Sequence, residues 1–190
     1  MRKFMKNFLF CIAVLTAAIS PAGEKTSIKP EKTLIVYYSW GGNTKAVAQE
    51  IAKQTSGTLF ELKPRKAYPV EYRKCTQVAK KDIADGVKAA LVSMPDVKKY
   101  DVIFAGSPNW WGTMAPPVKT FLADAKLSGK TVIPFFTHGG GGMQRCETDV
   151  KKLLKKATVL PALTIPGSRA ENSEKEISAW LERIVKKAEK

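Results

Sequence analysis

The chain has 190 residues, of which 44% are hydrophobic and 9% aromatic, and its formal net charge is +15. This length supports one domain with a real core, and the composition excludes an intrinsically disordered chain. The positive charge favours acidic partners or anionic surfaces. Because the lysines are spread along the chain without interleaved aromatic residues or a nucleic-acid motif, nucleic-acid binding is not expected.

The first 22 residues have the layout of a secretory signal peptide. A basic start, MRKFMKN, precedes the apolar run FLFCIAVLTAAI, and small residues stand at Ser20 and Ala22. We therefore predict a signal peptide over 1–22, cleaved after Ala22, and an exported protein that is periplasmic or extracellular. The alternative is a membrane anchor, but the apolar run is shorter than the roughly 20 residues that span a bilayer. Residues 23–31 form a polar leader, and the mature chain has no predicted transmembrane segment.

The domain predicted over 32–190 alternates strand-like and helix-like segments. Five apolar runs, KTLIVYYS, TLFELKP, YDVIFAGSP, KTVIPFFTH and ATVLPALTI, are each followed by a helical pattern. Five β-α repeats predict a three-layer α/β fold with a five-stranded parallel sheet of order 2-1-3-4-5 and helices on both faces. Pro134 and Pro161 interrupt the last two strands. A bulge or an edge position is the expected reason for Pro134.

The loop after the first strand, Ser39-Trp40-Gly41-Gly42-Asn43-Thr44, has the features of an anion site. In a sheet of this order, ligands bind beyond the carboxyl ends of the strands, where the strand order reverses. Glycines let an anion approach the backbone, and the N–H groups of the next helix face it. Lys45 follows the threonine, so this is not a Walker loop, and a terminal monophosphate is favoured. The alternative is a tight turn with Asn43 as the helix N-cap.

The loops after the third and fourth strands, SPNWWGTMAPP and THGGGG, supply the other candidate ligand contacts. Trp110 and Trp111 offer a flat face to a flat ligand, although ordinary packing under the loop is the alternative. His138 is the only histidine, and its place beside four glycines favours a site role over a structural one. No second histidine or nearby cysteine accompanies it, so no metal site is predicted. A monophosphate, a flat ring and polar ring edges together describe FMN.

The segments YYSWGGNT, GSPNWWGTMAPPVKTFL and PFFTHGGGG resemble the three cofactor loops of flavodoxin-family proteins, in the same order. The resemblance implies a flavodoxin-like fold with FMN as cofactor. It implies a phosphate site made of Ser39, Gly41, Gly42, Asn43 and Thr44. It implies that Trp110 or Trp111 stacks on the isoalloxazine ring, with Pro108 and Asn109 beneath the ribityl chain or the ring. It implies a pyrimidine edge lined by Thr137, His138, Gly139 and Gly140.

The resemblance also implies a backbone device that tunes the flavin. Flavodoxins flip a peptide next to a small residue when the cofactor is reduced, and Trp111–Gly112 is the candidate peptide because glycine tolerates both conformations. His138 is the second tuning candidate. The chain departs from the usual flavodoxin pattern in being basic and in carrying an apparent export signal.

Three functions are open at this point. The first is an FMN-binding, flavodoxin-like electron-transfer protein. The second is an FMN-dependent NAD(P)H:quinone-type oxidoreductase, in which Tyr68 and Tyr72 would wall a substrate pocket. The third, less favoured, is a flavin-free binding protein of the same fold. The expected partner is a redox protein or a small quinone-type acceptor, and the basic surface suits an acidic one.

Two cysteines, Cys75 and Cys146, remain after the predicted cleavage. They begin the second and fourth predicted helices, which the predicted topology places on one face with the third helix between them. We therefore predict that no disulfide joins them.

Overall fold

A computed structural model describes residues 29–188, in which β-strands and α-helices alternate. The strands are β1 Thr33–Tyr37, β2 Thr58–Glu61, β3 Val102–Trp110, β4 Thr113–Met114, β5 Thr131–His138, β6 Thr158–Val159 and β7 Leu163–Pro166. The helices are α1 Asn43–Thr55, α2 Tyr72–Ala84, α3 Pro116–Asp124, α4 Cys146–Leu153 and α5 Glu174–Ala188. Short 3-10 turns cover Pro30–Lys32 and Gly167–Asn172. The predicted signal peptide over 1–22 and most of the leader over 23–31 lie outside the described residues.

The sheet is parallel along the path β2-β1-β3-β5-β6. Two further strands lie off this path, with β4 antiparallel to β3 and β7 parallel to β5. The α/β parallel sheet with helices on both faces is confirmed. The prediction of five strands in the order 2-1-3-4-5 is wrong, because the described sheet has seven strands. Pro161 divides the last predicted strand into β6 and β7, and the chain after β3 turns back on itself to form β4.

Pro134 lies in an interior strand, opposite Ala105 of β3. The carbonyl of Val132 accepts a hydrogen bond from the Leu160 N–H at 3.0 Å, so Pro134, two residues further on, faces the same side. On that side β6 pairs with β5 as far as Val132, and β7 begins to pair at Phe135. The missing proline N–H therefore falls in the break between β6 and β7. This break replaces the expected bulge or edge position.

Each face of the sheet has its own apolar core. Helices α1 and α5 cover one face, where Ile51 and Trp180 pack against Phe104 and Phe135. Helices α3 and α4 cover the other face, and α3 also contacts α2. Helix α3 begins with Pro116-Pro117, because proline is well accepted in the first turn of a helix. Within residues 29–188, no helix has the length and apolar character needed to cross a membrane.

Both cysteines of the described chain are free, buried thiols. Burial raises the pKa of Cys75, and burial together with the nearby Asp149 carboxylate raises the pKa of Cys146 to about 12. The thiolate is the reactive form of cysteine, so a raised pKa and burial both suppress reactivity.

We expect neither thiol to react with iodoacetamide at neutral pH while the protein is folded. Peptide mass mapping after a short exposure checks this, with a guanidinium-unfolded sample as the control in which both peptides gain the label. Rapid labelling of Cys146 in the folded protein would contradict its burial at the start of α4.

Candidate functional site

A cavity of about 900 Å³ lies at the carboxyl ends of the parallel strands. The structure brings the loops after β1, β3 and β5 together around it, as the topology predicts. The predicted FMN contacts that line it are Ser39, Gly41, Asn43, Thr44, Pro108, Asn109, Trp110, Trp111, Thr137, His138, Gly139 and Gly140. Gly42 and Gly112 are not among the lining residues. Of the two predicted substrate residues, Tyr72 lines the cavity and Tyr68 does not.

The β1–α1 loop presents an open helix N-terminus to this cavity. Helix α1 begins at Asn43, and its N-cap is Gly42 with a left-handed φ of 92°, so the alternative with Asn43 as the N-cap is wrong. No side chain caps the first turn, and a Cβ on Gly41 would meet no atom within 4 Å. Ser39 Oγ accepts a hydrogen bond from Gly42 N at 3.1 Å. The N–H groups of the first turn lack intrahelical partners, and the helix dipole favours an anion there.

Two buried hydroxyls connect this loop to the end of β5. Thr44 Oγ1 and Thr137 Oγ1 are 2.8 Å apart, and both residues line the cavity. Each hydroxyl carries one proton, so one proton forms the mutual hydrogen bond and the other stays available to a ligand. The pair therefore adds a donor to the anion end of the cavity.

The tryptophan loop is a tight hairpin between β3 and β4. Trp110 pairs with Thr113, which leaves Trp111 and Gly112 as the two central residues. Their φ values are 52° and 85°, and two positive φ values are what a type I′ turn requires. Glycine adopts this conformation freely, whereas it is uncommon for tryptophan. The Trp111–Gly112 peptide thus lies at the tip of a constrained turn.

Asn109 holds this turn in place. Its Oδ1 accepts a hydrogen bond from Gly112 N at 3.0 Å, and its Nδ2 donates to Gly142 O at 2.7 Å. One side chain therefore joins the hairpin tip to the glycine loop after β5.

Trp110 forms a supported aromatic wall. Its ring meets Tyr38 and Tyr68 edge-on, with centroids 5.7 Å and 4.8 Å away. The Tyr68 hydroxyl donates to Asp82 Oδ2 at 2.9 Å, and burial together with this hydrogen bond raises the pKa of Tyr68. Tyr68 thus lies behind Trp110 and supports it, whereas the sequence placed it in a substrate wall.

Trp111 lies at the mouth of the cavity and is 51% exposed. Its Nε1 donates to Thr76 O of α2 at 3.0 Å, and Lys80 Nζ lies 4.9 Å from the ring centroid. Such a cation over an aromatic face adds a modest attraction. The two tryptophans therefore have different roles. Trp110 forms a wall of the cavity, whereas Trp111 links the β3–β4 hairpin to α2.

The loop after β5 offers a polar backbone rim. His138 Nδ1 accepts a hydrogen bond from Gly140 N at 3.0 Å, so in the neutral ring Nε2 carries the proton. A Cβ on Gly139 or Gly140 would meet no atom within 4 Å, which leaves the backbone of this loop open. Among residues 29–188, no group of three or more His, Cys, Asp or Glu side chains could hold a metal ion.

The prediction from the sequence missed some of the residues that line the cavity. Trp40, inside the first loop, donates from Nε1 to Pro69 O at 2.9 Å and lines the cavity. The segment after β7 also contributes, where a Cβ on Gly167 would lie 2.4 Å from Asn43 Nδ2. The carboxyl ends of parallel strands lie at the same edge of the sheet. On that ground, the loop after the last strand could have been predicted to contribute to the site.

The open N-terminus of α1, the aromatic wall and the glycine rim define a site for a ligand with an anionic end, a flat ring and polar edges. The sequence model of the family described as Flavodoxin matches residues 32–184, and the chain belongs to that family.

The solved structures that are similar to the chain include two flavoproteins. A flavoprotein from Lactobacillus acidophilus, determined in complex with FMN, is 27% identical with a TM-score of 0.65, covering 78% of this chain and 99% of that one. A proposed flavoprotein from Bacteroides eggerthii is 29% identical with a TM-score of 0.70, covering 80% of this chain and 97% of that one. The family and the FMN-bound structure support FMN as the cofactor.

A curated relative is also similar. "NAD(P)H dehydrogenase (quinone) 3" from Rhizobium meliloti is 28% identical over an alignment of 123 residues, and the match covers 57% of this chain and 56% of the relative. The match therefore spans little more than half of that protein's length.

Proposed function

We propose that the protein binds FMN in this cavity and acts as a flavodoxin-like electron-transfer protein. One observation carries the proposal: a single cavity combines an uncapped helix N-terminus, a supported aromatic wall and an open glycine rim. Its volume of about 900 Å³ lies within the range of roughly 300–1,000 Å³ that ligand pockets occupy. Bound FMN supplies one- and two-electron redox chemistry.

Each part of the lining has a role in this proposal. The first turn of α1, with Ser39 and Thr44, holds the phosphate, and Trp110 stacks on the ring. The His138 Nε2–H and the backbone of the glycine rim donate to the polar ring edge, while Thr137 donates to Thr44 and so leaves the Thr44 proton for the phosphate. Asn109 holds the Gly112 N–H, so it restrains the Trp111–Gly112 peptide proposed to tune the flavin. These contacts bind and orient the cofactor and exclude water from its buried face.

Thr44→Val should weaken FMN binding about tenfold, because a hydrogen bond to a charged group is worth roughly 1.5–3 kcal/mol and others remain. Riboflavin lacks the phosphate, so its affinity should change much less. Fluorescence titration with both ligands checks this. Thr55→Val is the matched control, since that hydroxyl donates to Ile51 O in the last turn of α1. An equal loss for both ligands would contradict the phosphate role of Thr44.

A second function, an FMN-dependent NAD(P)H:quinone-type oxidoreductase, is favoured by two observations. The cavity continues along α2, where it is lined by Tyr72 and Thr76, and Tyr72 is 69% exposed. The Rhizobium meliloti relative carries the name of such an enzyme. Steady NAD(P)H oxidation that requires a quinone would support this function. Electron delivery to a redox protein without NAD(P)H turnover would support the carrier.

We further propose that the protein is exported and that its redox partner carries an acidic surface. The support is the layout of 1–22, which lies outside the described residues, and the net charge of +15. The intact mass of the protein recovered from a producing cell checks the export. A mass lacking those residues is expected, and a mass retaining them would contradict the cleavage.

A further inference from the structure

A second depression, of about 560 Å³, adjoins the FMN cavity. Four residues line both, namely Asn109, Trp111, His138 and Gly139. The depression is completed by Gly112, Gly141, Gln144 and Arg145. A guanidinium is thus among its lining groups, and no carboxylate is.

Arg145 lies beside the tryptophan turn, and its side chain is 59% exposed. Its backbone N donates to Gly112 O at 3.2 Å, and its Nε lies 3.2 Å from Asp149 Oδ2. That carboxylate oxygen also accepts a hydrogen bond from Thr113 Oγ1 of β4 at 2.7 Å. Within residues 29–188, the hydrogen bond and ion pair of this guanidinium use Nε, so its two terminal nitrogens are available to a ligand.

The surroundings of Arg145 favour an anion on one side in particular. It also lines a smaller cavity of about 350 Å³ between α2, α3 and α4, where the carboxylates of Asp82 and Asp149 lie among the lining residues together with Lys119 and Lys152. The lining residues of the depression include Arg145 and no carboxylate, which favours an anion on that side.

We propose that this depression binds the anionic group of a small planar electron acceptor, such as a quinone bearing a sulfonate or a carboxylate. Arg145 contacts the anion, and the acceptor ring extends over the shared residues Trp111 and His138 toward the FMN cavity. The inference rests on the proposed function for the identity of the neighbouring cofactor. The anion contact itself does not depend on it.

Isothermal calorimetry with a sulfonated naphthoquinone tests the contact on the protein as purified. Arg145→Gln should weaken binding about tenfold, since a charge-assisted contact is lost. Lys53→Gln is the matched control. It removes the same charge from a 67% exposed side chain in the last turn of α1, so a change of less than about twofold is expected. Equal effects of the two substitutions, or no binding to the wild type, would overturn the proposal.

Stopped-flow kinetics tests the same contact in turnover. Photoreduced holoprotein gives two electrons and two protons to the quinone, which leaves as the hydroquinone. Two acceptors are compared, the sulfonated quinone and the same quinone with a methyl group in place of the sulfonate. The second-order rate constant for the sulfonated quinone, divided by that for the methyl quinone, should be about tenfold lower in Arg145→Gln than in the wild type. An unchanged ratio would contradict the subsite. A protein that binds the sulfonate through Arg145 but takes up no FMN would refute the proposed function and leave the subsite standing.

Discussion

Gly106→Ala is expected to lower the free energy of unfolding by more than about 3 kcal/mol, at or beyond the upper end of overpacking costs. A Cβ at this position would lie 2.1 Å from Cζ of Phe135, and two further ring atoms would lie within 2.8 Å. The ring cannot move aside because Phe135 is fully buried between the sheet and the α1/α5 layer. Since Gly106 directly precedes the segment that carries the tryptophans, the same change should also disturb the site. Urea unfolding followed by circular dichroism measures the loss.

Gly139→Ala is the matched control, because a Cβ there would meet no atom within 4 Å. We expect it to change stability by less than about 0.5 kcal/mol, as for an ordinary surface substitution. Phe135→Leu combined with Gly106→Ala should recover part of the lost stability by making room for the methyl group. A Gly106→Ala protein as stable as the wild type would show that the two strands are not packed as described.

Trp110→Ala is expected to weaken FMN binding by about 1–3 kcal/mol, the usual loss when an aromatic stack is removed. The supporting Tyr38 and Tyr68 hold this ring in place, so its stacking face is organised before the ligand arrives. Trp110→Phe keeps a flat face and should retain most of the affinity. Fluorescence titration of folded protein with FMN measures these changes.

Trp111→Ala is the variant that distinguishes the roles of the two tryptophans in FMN binding. Because Trp111 is half exposed and bonded to α2, its loss should cost less affinity than the loss of Trp110. Because Trp110 is half-buried, circular dichroism must first establish that each variant is folded at the titration temperature. If Trp111→Ala lost more FMN affinity than Trp110→Ala, then Trp111 at the mouth of the cavity, and not Trp110, would be the residue that stacks on the flavin.

The fold class and the three site loops follow from local signals. Alternating apolar and helical runs predict the parallel sheet, and the rule for strand carboxyl ends selects the loops after β1, β3 and β5. The two extra strands were missed because neither has a clear signal in the sequence: β4 is two residues long, and β6 and β7 were predicted as one strand interrupted by Pro161. The Trp111-Gly112 turn is an example: it lacks the Asn-Gly or Asp-Gly pair typical of type I′ turns. Hydrogen bonds from Gly112 N to Asn109 Oδ1 and from Trp111 Nε1 to Thr76 O hold it instead.

The sequence predicts which residues line the site better than it predicts the role of each residue. The sequence places two adjacent tryptophans in one loop, but their different roles arise from Tyr38 and Tyr68 behind one and Thr76 beneath the other. Tyr68 was expected in a substrate wall because it follows β2. Its hydrogen bond to Asp82, fourteen residues away, turns it to the supporting side. Such tertiary contacts leave no periodic signal in the sequence.

The most direct test of the account is the comparison of FMN with riboflavin on the purified protein. We expect one FMN to bind per chain, with its fluorescence quenched against the aromatic wall. Riboflavin should bind at least about tenfold more weakly, because it lacks the phosphate that the first turn of α1 and its hydroxyls hold. Failure to bind FMN, or equal affinity for the two flavins, would contradict the proposed site.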